Sequence, residues 1–337
     1  MKIGITFDLK ASMPTGPNVP DDAYEEFDSL QTIESIAAVL RGLGHTVVLL
    51  GDGREFIEKV LADRPDFVFN FAEGHGVSRS REARVPAVLE MLGIPFTGSD
   101  PFTLAVTLDK DCAKKLVAAA GVAVPASHAL DATAPLSSIP LASLKFPLLV
   151  KPAWEGSSKG IRNRCLVNAP AEVADVVASL RRDHPQTILL EEFIAGDELT
   201  VGLHGNAEVN IIGIMRVAPT QKNERFIYSL EVKRDYKGKI SFEVPPPYPA
   251  PILERIEQSA RTAYRALACR DIARVDFRLR DGVPYFLEVN PLPGLNAVDS
   301  DLCILARLAG WSYERLVSTI LEAAIRRVGM SHMSGAK

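Results

Sequence analysis

Three oxygen-bearing side chains near the end of the chain stand at a spacing that suits a hard cation. Asp276 lies in ARVDFRL, and Glu288 and Asn290 lie in PYFLEVN; the two apolar runs are joined by Asp281-Gly282 and read as a β-hairpin. Residues two apart on a strand share a face, so Glu288 and Asn290 point the same way. Carboxylates and an amide oxygen suit Mg²⁺, which prefers them together with phosphate oxygens. The plain alternative is that solvent-facing strand positions alternate polar by default. Against it, both runs are otherwise apolar, and buried carboxylates need a counter-ion. Arg274 precedes Asp276 by two, on the same face, where a guanidinium can stabilise charge that develops in acyl or phosphoryl transfer.

A second stretch, VKPAWEGSSKGI, follows the strand-like run FPLLV. Backbone N–H groups of a Gly/Ser loop can wrap phosphates, and Lys151 can add a point charge. The stretch is not GxxxxGK[ST], hence not a P-loop, and a simple surface turn remains the alternative. Glu191 and Glu192 in LLEEFI, with Glu198 beyond them, can accept hydrogen bonds from an adenine amine or ribose hydroxyls, or stand as exposed strand acids. Arg79, Arg81 and Arg84 cluster near Glu73 and His75, where a solvated charged face is the plain reading. No Ser-His-Asp or Cys-His arrangement can be assembled.

Elements to position these groups are readable around them. The run 2–8 reads as a strand, and a helix capped by Ser29 carries Leu30, Ile33, Ile36, Ala37, Leu40 and Leu43 at helical spacing. Strands at 46–50 and 66–71, with a helix between, complete an alternating pattern that argues for a parallel sheet covered by helices. A short helix near 82–92 and a strand-like PFTG follow. Asp109 caps a helix through Ala120. Beyond it come a helix at 170–182, strands at 187–194, 198–203 and 208–217, a polar stretch at 218–247, a helix at 249–268, the hairpin and a helical tail. A structureless stretch as long as 218–247 reads as a lid.

The 337 residues suffice for two or three domains, and 47% hydrophobic with 24% charged residues is an ordinary globular composition. A formal charge of −4 argues against nucleic-acid binding by bulk charge. The four cysteines are far apart, so free thiols in a cytoplasmic protein are expected rather than a zinc site. MKIGITFD starts as a strand, so no signal peptide is expected, and no apolar run suggests a membrane span.

Jointly, EMLGIPFTGSD, TLDKDCAKKLVAAAGVAVP, FPLLVKPAWEGSSKGI, LLEEFIAGDELTVGL, RVDFRLRDGVPYFLEVNPLPGL and SDLCILARLAGWSYERLV resemble, in order and spacing, the ATP-grasp enzymes of the D-alanine–D-alanine ligase family. The resemblance implies an α/β ATP-grasp fold: an N-terminal parallel-sheet domain over 1–100, a central domain over 101–195, and a C-terminal domain over 196–337 with a lid at about 218–247. ATP would be clamped between the last two. It implies ATP with Mg²⁺, or Mn²⁺ in its place, and small-molecule substrates, a carboxylate and an amine, joined through an acyl phosphate. It is compatible with a homodimer. Lys110 and Lys151 would contact phosphates, with Glu155, Gly156, Ser157 and Ser158 forming the loop over them. Glu191 and Glu192 would face adenine, Phe193 and Ile194 would lie beside it, and Glu198 would hold ribose. Asp276, Glu288 and Asn290 match the metal ligands; Arg274 and the backbone of Gly294 match the group that stabilises the tetrahedral intermediate. Ser157 and lid Lys233 match further catalytic positions, and Ser300 falls where the second substrate's carboxylate binds.

The chain also departs from the family pattern. Glu73-Gly74 stands where the family has His-Gly, and GVSRSREARVPAVLE replaces a Gly-rich acidic turn. Lys233-Arg234 replaces a Lys-Tyr pair. No glutamate aligns with the one that receives the first amino acid's amine, although Glu26 and Asp28 are near. The first-substrate pocket is therefore expected to be rebuilt around Glu73, Arg79, Arg81, Arg84 and Arg234. Four guanidinium groups lead to the expectation of a first substrate more negatively charged than D-alanine.

Overall fold

The computed structural model describes residues 1–17, 19–221 and 225–330. Its first unit holds β1 (Lys2–Phe7), α1 (Leu30–Gly42), β2 (Thr46–Gly51), α2 (Gly53–Ala62), β3 (Phe67–Phe71) and α3 (Arg84–Met91). The strands form a parallel sheet in the order β2-β1-β3. The Ser29 hydroxyl accepts from Thr32 N and starts α1, a cap worth about 1 kcal/mol. Ile33, Ile36, Ala37 and Leu40 then recur on one buried stripe against Ile3, Ile5 and Phe69. PFTG contributes only an isolated bridge between Phe96 and Val68 rather than a strand.

Next come α4 (Pro101–Leu108), α5 (Lys110–Ala119), β4 (Ser127–Leu130), β5 (Leu148–Pro152), β6 (Leu166–Val167), α6 (Pro170–Asp183) and β7 (Ile188–Glu192). Four of these are strands of one sheet, ordered β4-β7-β5-β6. The sequence reading missed α4, whose apolar surface lacks a clear stripe; Asp100 caps it by accepting from Thr103 N. The Asp109 carboxylate caps α5 by accepting from Cys112 N. Ala113 and Val117 of α5 pack with the sheet that follows, not with the sheet of β4.

That last sheet is antiparallel, ordered β10-β9-β8-β11-β12, from β8 (Asp197–Gly205), β9 (Val209–Pro219), α7 (Leu230–Arg234), β10 (Ile240–Glu243), α8 (Ala250–Ala266), β11 (Asp271–Arg280) and β12 (Val283–Asn290). The chain closes with α9 (Asp301–Leu308) and α10 (Tyr313–Arg327). One hydrophobic cluster joins Ile36 and Phe69 of the first unit to Ile320 and Leu321 of α10. The stretch 218–247 is not structureless: it holds the end of β9, the short helix α7 and the edge strand β10. Residues 222–224 of that stretch lie outside the described residues. No described helix is long and apolar enough to cross a membrane.

Candidate active site

The hairpin places its polar residues by register. Asp276 pairs with Glu288 and Arg274 with Asn290, so all four share a face. On the other side of β11, Asp276 pairs with Thr200 and Arg278 with Glu198 of β8. The pairing slips after Asp276 and leaves Leu287 as the extra residue of a bulge, a device common beside active sites. Asp276 accepts from Thr200 Oγ1 at 2.9 Å, from Arg274 Nη2 at 2.9 Å, and from Asn290 Nδ2 at 3.5 Å. Glu288 lies 3.1 Å from Lys110 Nζ. Burial raises the Asp276 pKa, although Arg274 opposes it. Burial pushes the same way on Glu288, but Lys110, Lys151, Arg274 and Lys233 outweigh it and hold that carboxyl well below the usual range. This is the donor chemistry of a divalent-cation site: oxygen ligands, two of them carboxylates, with cations around them. Asp276, Glu288 and Asn290 can hold Mg²⁺.

A cavity of about 730 Å³ opens between the β5/β7 sheet and the β8/β11/β12 sheet. Leu149, Ile161, Phe193, Ile194, Ile227 and Leu287 give it apolar walls, and Lys151, Glu198, Asp276 and Glu288 a polar end. Apolar walls with a few convergent polar groups fit a nucleotide's base and sugar beside its phosphates. Lys110 is buried and donates to the Glu155 carbonyl. The Glu191 carboxylate is shared between Lys151 Nζ at 2.9 Å and Lys114 Nζ at 2.8 Å. It is a buried ion-pair centre and not an exposed strand acid. Burial lowers the Lys114 pKa to about 8 despite Glu191 beside it. Glu192 also lines the cavity and accepts from Lys145 N at 2.7 Å. Glu198 lies 3.1 Å from Arg278 Nη1, and the same guanidinium stacks on the Phe193 ring at 4.5 Å. The Gly/Ser loop closes this region: Ser157 and Ser158 both adopt positive φ, 48° and 59°, a conformation that costs roughly 1 kcal/mol for a non-glycine residue. Ser158 Oγ donates to the Tyr228 carbonyl at 3.1 Å.

The third region corrects the expected role of the arginines. Arg81 is buried, but its guanidinium is consumed inside the protein: Nη2 donates to both Glu26 oxygens at 2.8 Å and Nη1 to the Trp154 carbonyl at 2.7 Å. Lys159 adds a contact to Glu26 at 3.0 Å, and Gly156 N donates to the same carboxylate. A Cβ at position 156 would fall 2.7 Å from Glu26 Oε1, so glycine lets the loop approach this closely. Arg79 is exposed and faces Asp109 at 3.6 Å. Arg84 is exposed and donates to the His75 carbonyl at 2.7 Å. Arg234 reaches back to Asp21 at 2.6 Å and Glu25 at 2.7 Å. The structure therefore does not gather four free cations. Each arginine is held by an acid or a carbonyl supplied by another part of the chain.

A cavity of about 610 Å³ joins this region to the hairpin, lined by Glu26, Glu73, Glu82, Lys110, Glu155, Ser157, Arg274, Glu288, Asn290 and Gly294. A wider opening beyond it is lined by Ser157, Lys233, Arg234, Arg274, Gly294, Ser300 and Asp301. There Arg274 Nη1 donates to Asp301 at 3.4 Å, Lys233 lies 3.7 Å from the same carboxylate and 4.9 Å from the Tyr228 ring centre. Ser300 Oγ accepts from Asn296 N at 3.0 Å and abuts Gly294. Sequence reading named Glu26 only as near the first substrate's amine and missed Lys114, Glu82, Arg278, Tyr228 and Asp301 as site residues. Two had a signal: Lys114 lies one helical turn from Lys110, and Arg278 continues the alternation of Arg274 and Asp276. The others are brought in only by folding.

Comparison with known proteins agrees with this geometry. The family model described as D-ala D-ala ligase C-terminus matches residues 117–322. The chain is 34% identical over 307 residues to the uncharacterised protein y4sG of Sinorhizobium fredii, covering 87% of each. It is 32% identical to a D-alanine–D-alanine ligase of Desulforudis audaxviator, covering 89% of this chain and 94% of that one. The crystal structure of the D-alanine–D-alanine ligase of Bacillus anthracis superposes with a TM-score of 0.76 at 25% identity, over 97% of this chain and 98% of that one. The VanG D-Ala:D-Ser ligase of Enterococcus faecalis shares the fold, with a TM-score of 0.71 over 96% and 99% of the two chains. The three sheets, the clefts between them and these matches lead to one conclusion: the chain has the ATP-grasp fold and belongs to the D-alanine–D-alanine ligase family of ATP-dependent ligases.

Proposed function

We propose that this protein joins a carboxylate to an amine with ATP and Mg²⁺, and that its first substrate is not D-alanine. One observation carries the reading. The cavity between the β5/β7 and β8/β11/β12 sheets and the 610 Å³ cavity share Glu288, and the latter shares Arg274, Ser157 and Gly294 with the wider opening. Three compartments thus meet at one cationic and acidic junction, the arrangement a three-substrate reaction needs. Lys110 and Lys151 offset phosphate charge, and the Glu155–Ser158 loop covers it. Phe193, Ile194 and Glu198 receive base and ribose. Mg²⁺ held by Asp276, Glu288 and Asn290 would supply charge neutralisation for phosphoryl transfer. The donor's carboxylate oxygen takes the terminal phosphoryl group as its bond to ADP breaks. The amine of the second substrate then forms a bond to the acyl carbon, phosphate leaves with its oxygen, and the amine gives up a proton. Arg274 and the Gly294 backbone face the oxygen that becomes negative in that step. Ser300 and Lys233 line the side from which the amine enters.

The altered first substrate rests on Glu26, Arg81 and Lys159. The acid nearest the expected ammonium site is already neutralised by two buried cations. A screen of ATP consumption over pairs of acids and amines, with product masses, tests the proposal. Amide formation with amine-dependent phosphate release from an acid other than D-alanine supports it. Efficient D-alanyl-D-alanine synthesis would instead make the protein a conventional member of its family, and phosphate transfer without amine dependence would make it a kinase.

A further inference from the structure

The 610 Å³ cavity has an unbalanced wall. Glu26 and Glu155 pair with Arg81 and Lys159. Lys110 is engaged by Glu288. Glu73 and Glu82 face the same cavity yet take part in no hydrogen bond or ion pair among the described residues. Glu82 is only 8% exposed, so it is a nearly buried carboxyl aimed into a cavity without a partner. Beside the Lys110–Glu288 pair, four carboxyl groups thus stand against Arg81 and Lys159, an excess of two acids. Buried carboxylates of this kind are stable when a cation meets them.

On the reading of the protein as a ligase, we infer that the first substrate is a basic carboxylic acid of the diamino or guanidino amino-acid class, its two cationic groups received by Glu73 and Glu82. Its reacting carboxylate points the other way, toward Arg274, Glu288 and Asn290, which line the same cavity. The electrostatics of the cavity agree. Burial, then Glu82 and Glu26, raise the Glu73 pKa, with Arg81 opposing and Asp8 adding to the rise. Burial raises Glu82 to about 7, against Arg81, Lys110 and Lys159 and with Glu26. Burial thus resists ionisation of both carboxyls, and an incoming cation would offset that resistance. This replaces the expectation of an anionic donor: the arginines that suggested it are all paired internally or at the surface.

The first half-reaction can be read without knowing the amine, because hydroxylamine displaces phosphate from an acyl phosphate and leaves a hydroxamate. The full-length protein with ATP, Mg²⁺ and hydroxylamine is given alanine, glutamate, 2,3-diaminopropionate, ornithine, lysine and arginine, each in both enantiomers. We expect at least one basic acid to exceed alanine and glutamate tenfold or more in kcat/KM. Glu73→Gln and Glu82→Gln should raise KM for that acid roughly ten- to a hundredfold with kcat within a few-fold, and narrow its lead over alanine. Retained melting temperature and nucleotide binding identify folded variants; should a variant not fold, the wild-type ranking decides alone. Alanine or glutamate ahead of every basic acid, or a basic preference untouched in both folded variants, overturns the inference and leaves the ligase reading standing. Hydroxamate from none of these acids overturns the inference as well, and the acid–amine screen above then decides the ligase reading separately.

Discussion

Asp276 and Glu288 sit opposite each other in the hairpin, yet their environments differ: Arg274 holds one and Lys110 faces the other. Removing either charge while keeping shape should leave the fold and remove the cation's anchor. Asp276→Asn or Glu288→Gln is expected to lower ATP turnover by about a hundredfold or more at saturating Mg²⁺, with the melting temperature nearly unchanged. Turnover within a few-fold of wild type in either variant would sink the assignment. Lys114 makes a different prediction, because it shares the Glu191 carboxylate with Lys151 and donates to the bulge carbonyl of Leu287 at 2.5 Å. Lys114→Met leaves a buried acid with half its compensation, a change that costs about 3–5 kcal/mol. Urea unfolding should show that loss; a change below about 1 kcal/mol would mean the triad is not the structural centre it looks to be.

The segment from the end of β9 through α7 to β10 is anchored by buried Phe226, Ile227 and Leu230 and by polar contacts around them. Ser158 Oγ bonds the Tyr228 carbonyl, Leu230 N donates to the Ile161 carbonyl at 3.0 Å, and Tyr236 reaches Asp299 at 3.0 Å. Arg234 ties α7 to Asp21 and Glu25, and its side chain is 36% exposed, so screened ion pairs of this kind contribute only about 0.2–1 kcal/mol each. Ile227, Tyr228 and Lys233 place the segment over the cavity between the sheets, the position a gating element requires. Limited proteolysis should cut within 218–239 in free protein, faster in Arg234→Ala, and ATP with Mg²⁺ should protect both. Equal cutting with and without nucleotide would contradict a lid here.

Stability of the whole molecule should depend on pH through acids that folding makes harder to ionise. Burial raises Asp8 and Asp28 to about 6 and Glu82 to about 7, and raises Glu73 as well. A carboxyl whose pKa is higher in the fold binds its proton more tightly there. Its contribution is fully present below the unfolded value near 4 and is lost as pH rises through 6 to 7. For Glu82 the effect is on the order of 3 kcal/mol. Glu26 works oppositely: burial resists its ionisation, but Arg81 and Lys159 hold it down at about 2, so its contribution is lost only in strong acid. The ligand-free protein is therefore expected to melt higher at pH 5 than at pH 8 at matched ionic strength. Glu82→Gln should flatten that slope. A slope of opposite sign, or one unchanged in the variant, would count against burial of these acids.

Local chemistry wrote much of this protein into its sequence. Ser29 and Asp109 cap the helices they precede, Asp281-Gly282 turns the hairpin, and alternation puts Arg274, Asp276, Glu288 and Asn290 on one face. These features depend on neighbours a few residues apart or on one strand pairing. Element α4 and the fine structure of 218–247 escaped because eight residues without a clear stripe, a five-residue helix and a four-residue edge strand carry too little periodicity. Charge pairing was out of reach for a different reason. Arg81 finds Glu26 across 55 positions, and Arg234 finds Asp21 across 213. Which acid meets which base is decided by how the sheets pack, since electrostatic partners are chosen by distance in space and by burial, not by distance along the chain. Sequence placed Arg274, Asp276, Glu288 and Asn290 on one face; packing decided that Glu26, Glu73, Glu82 and Glu155 line one cavity with three of them.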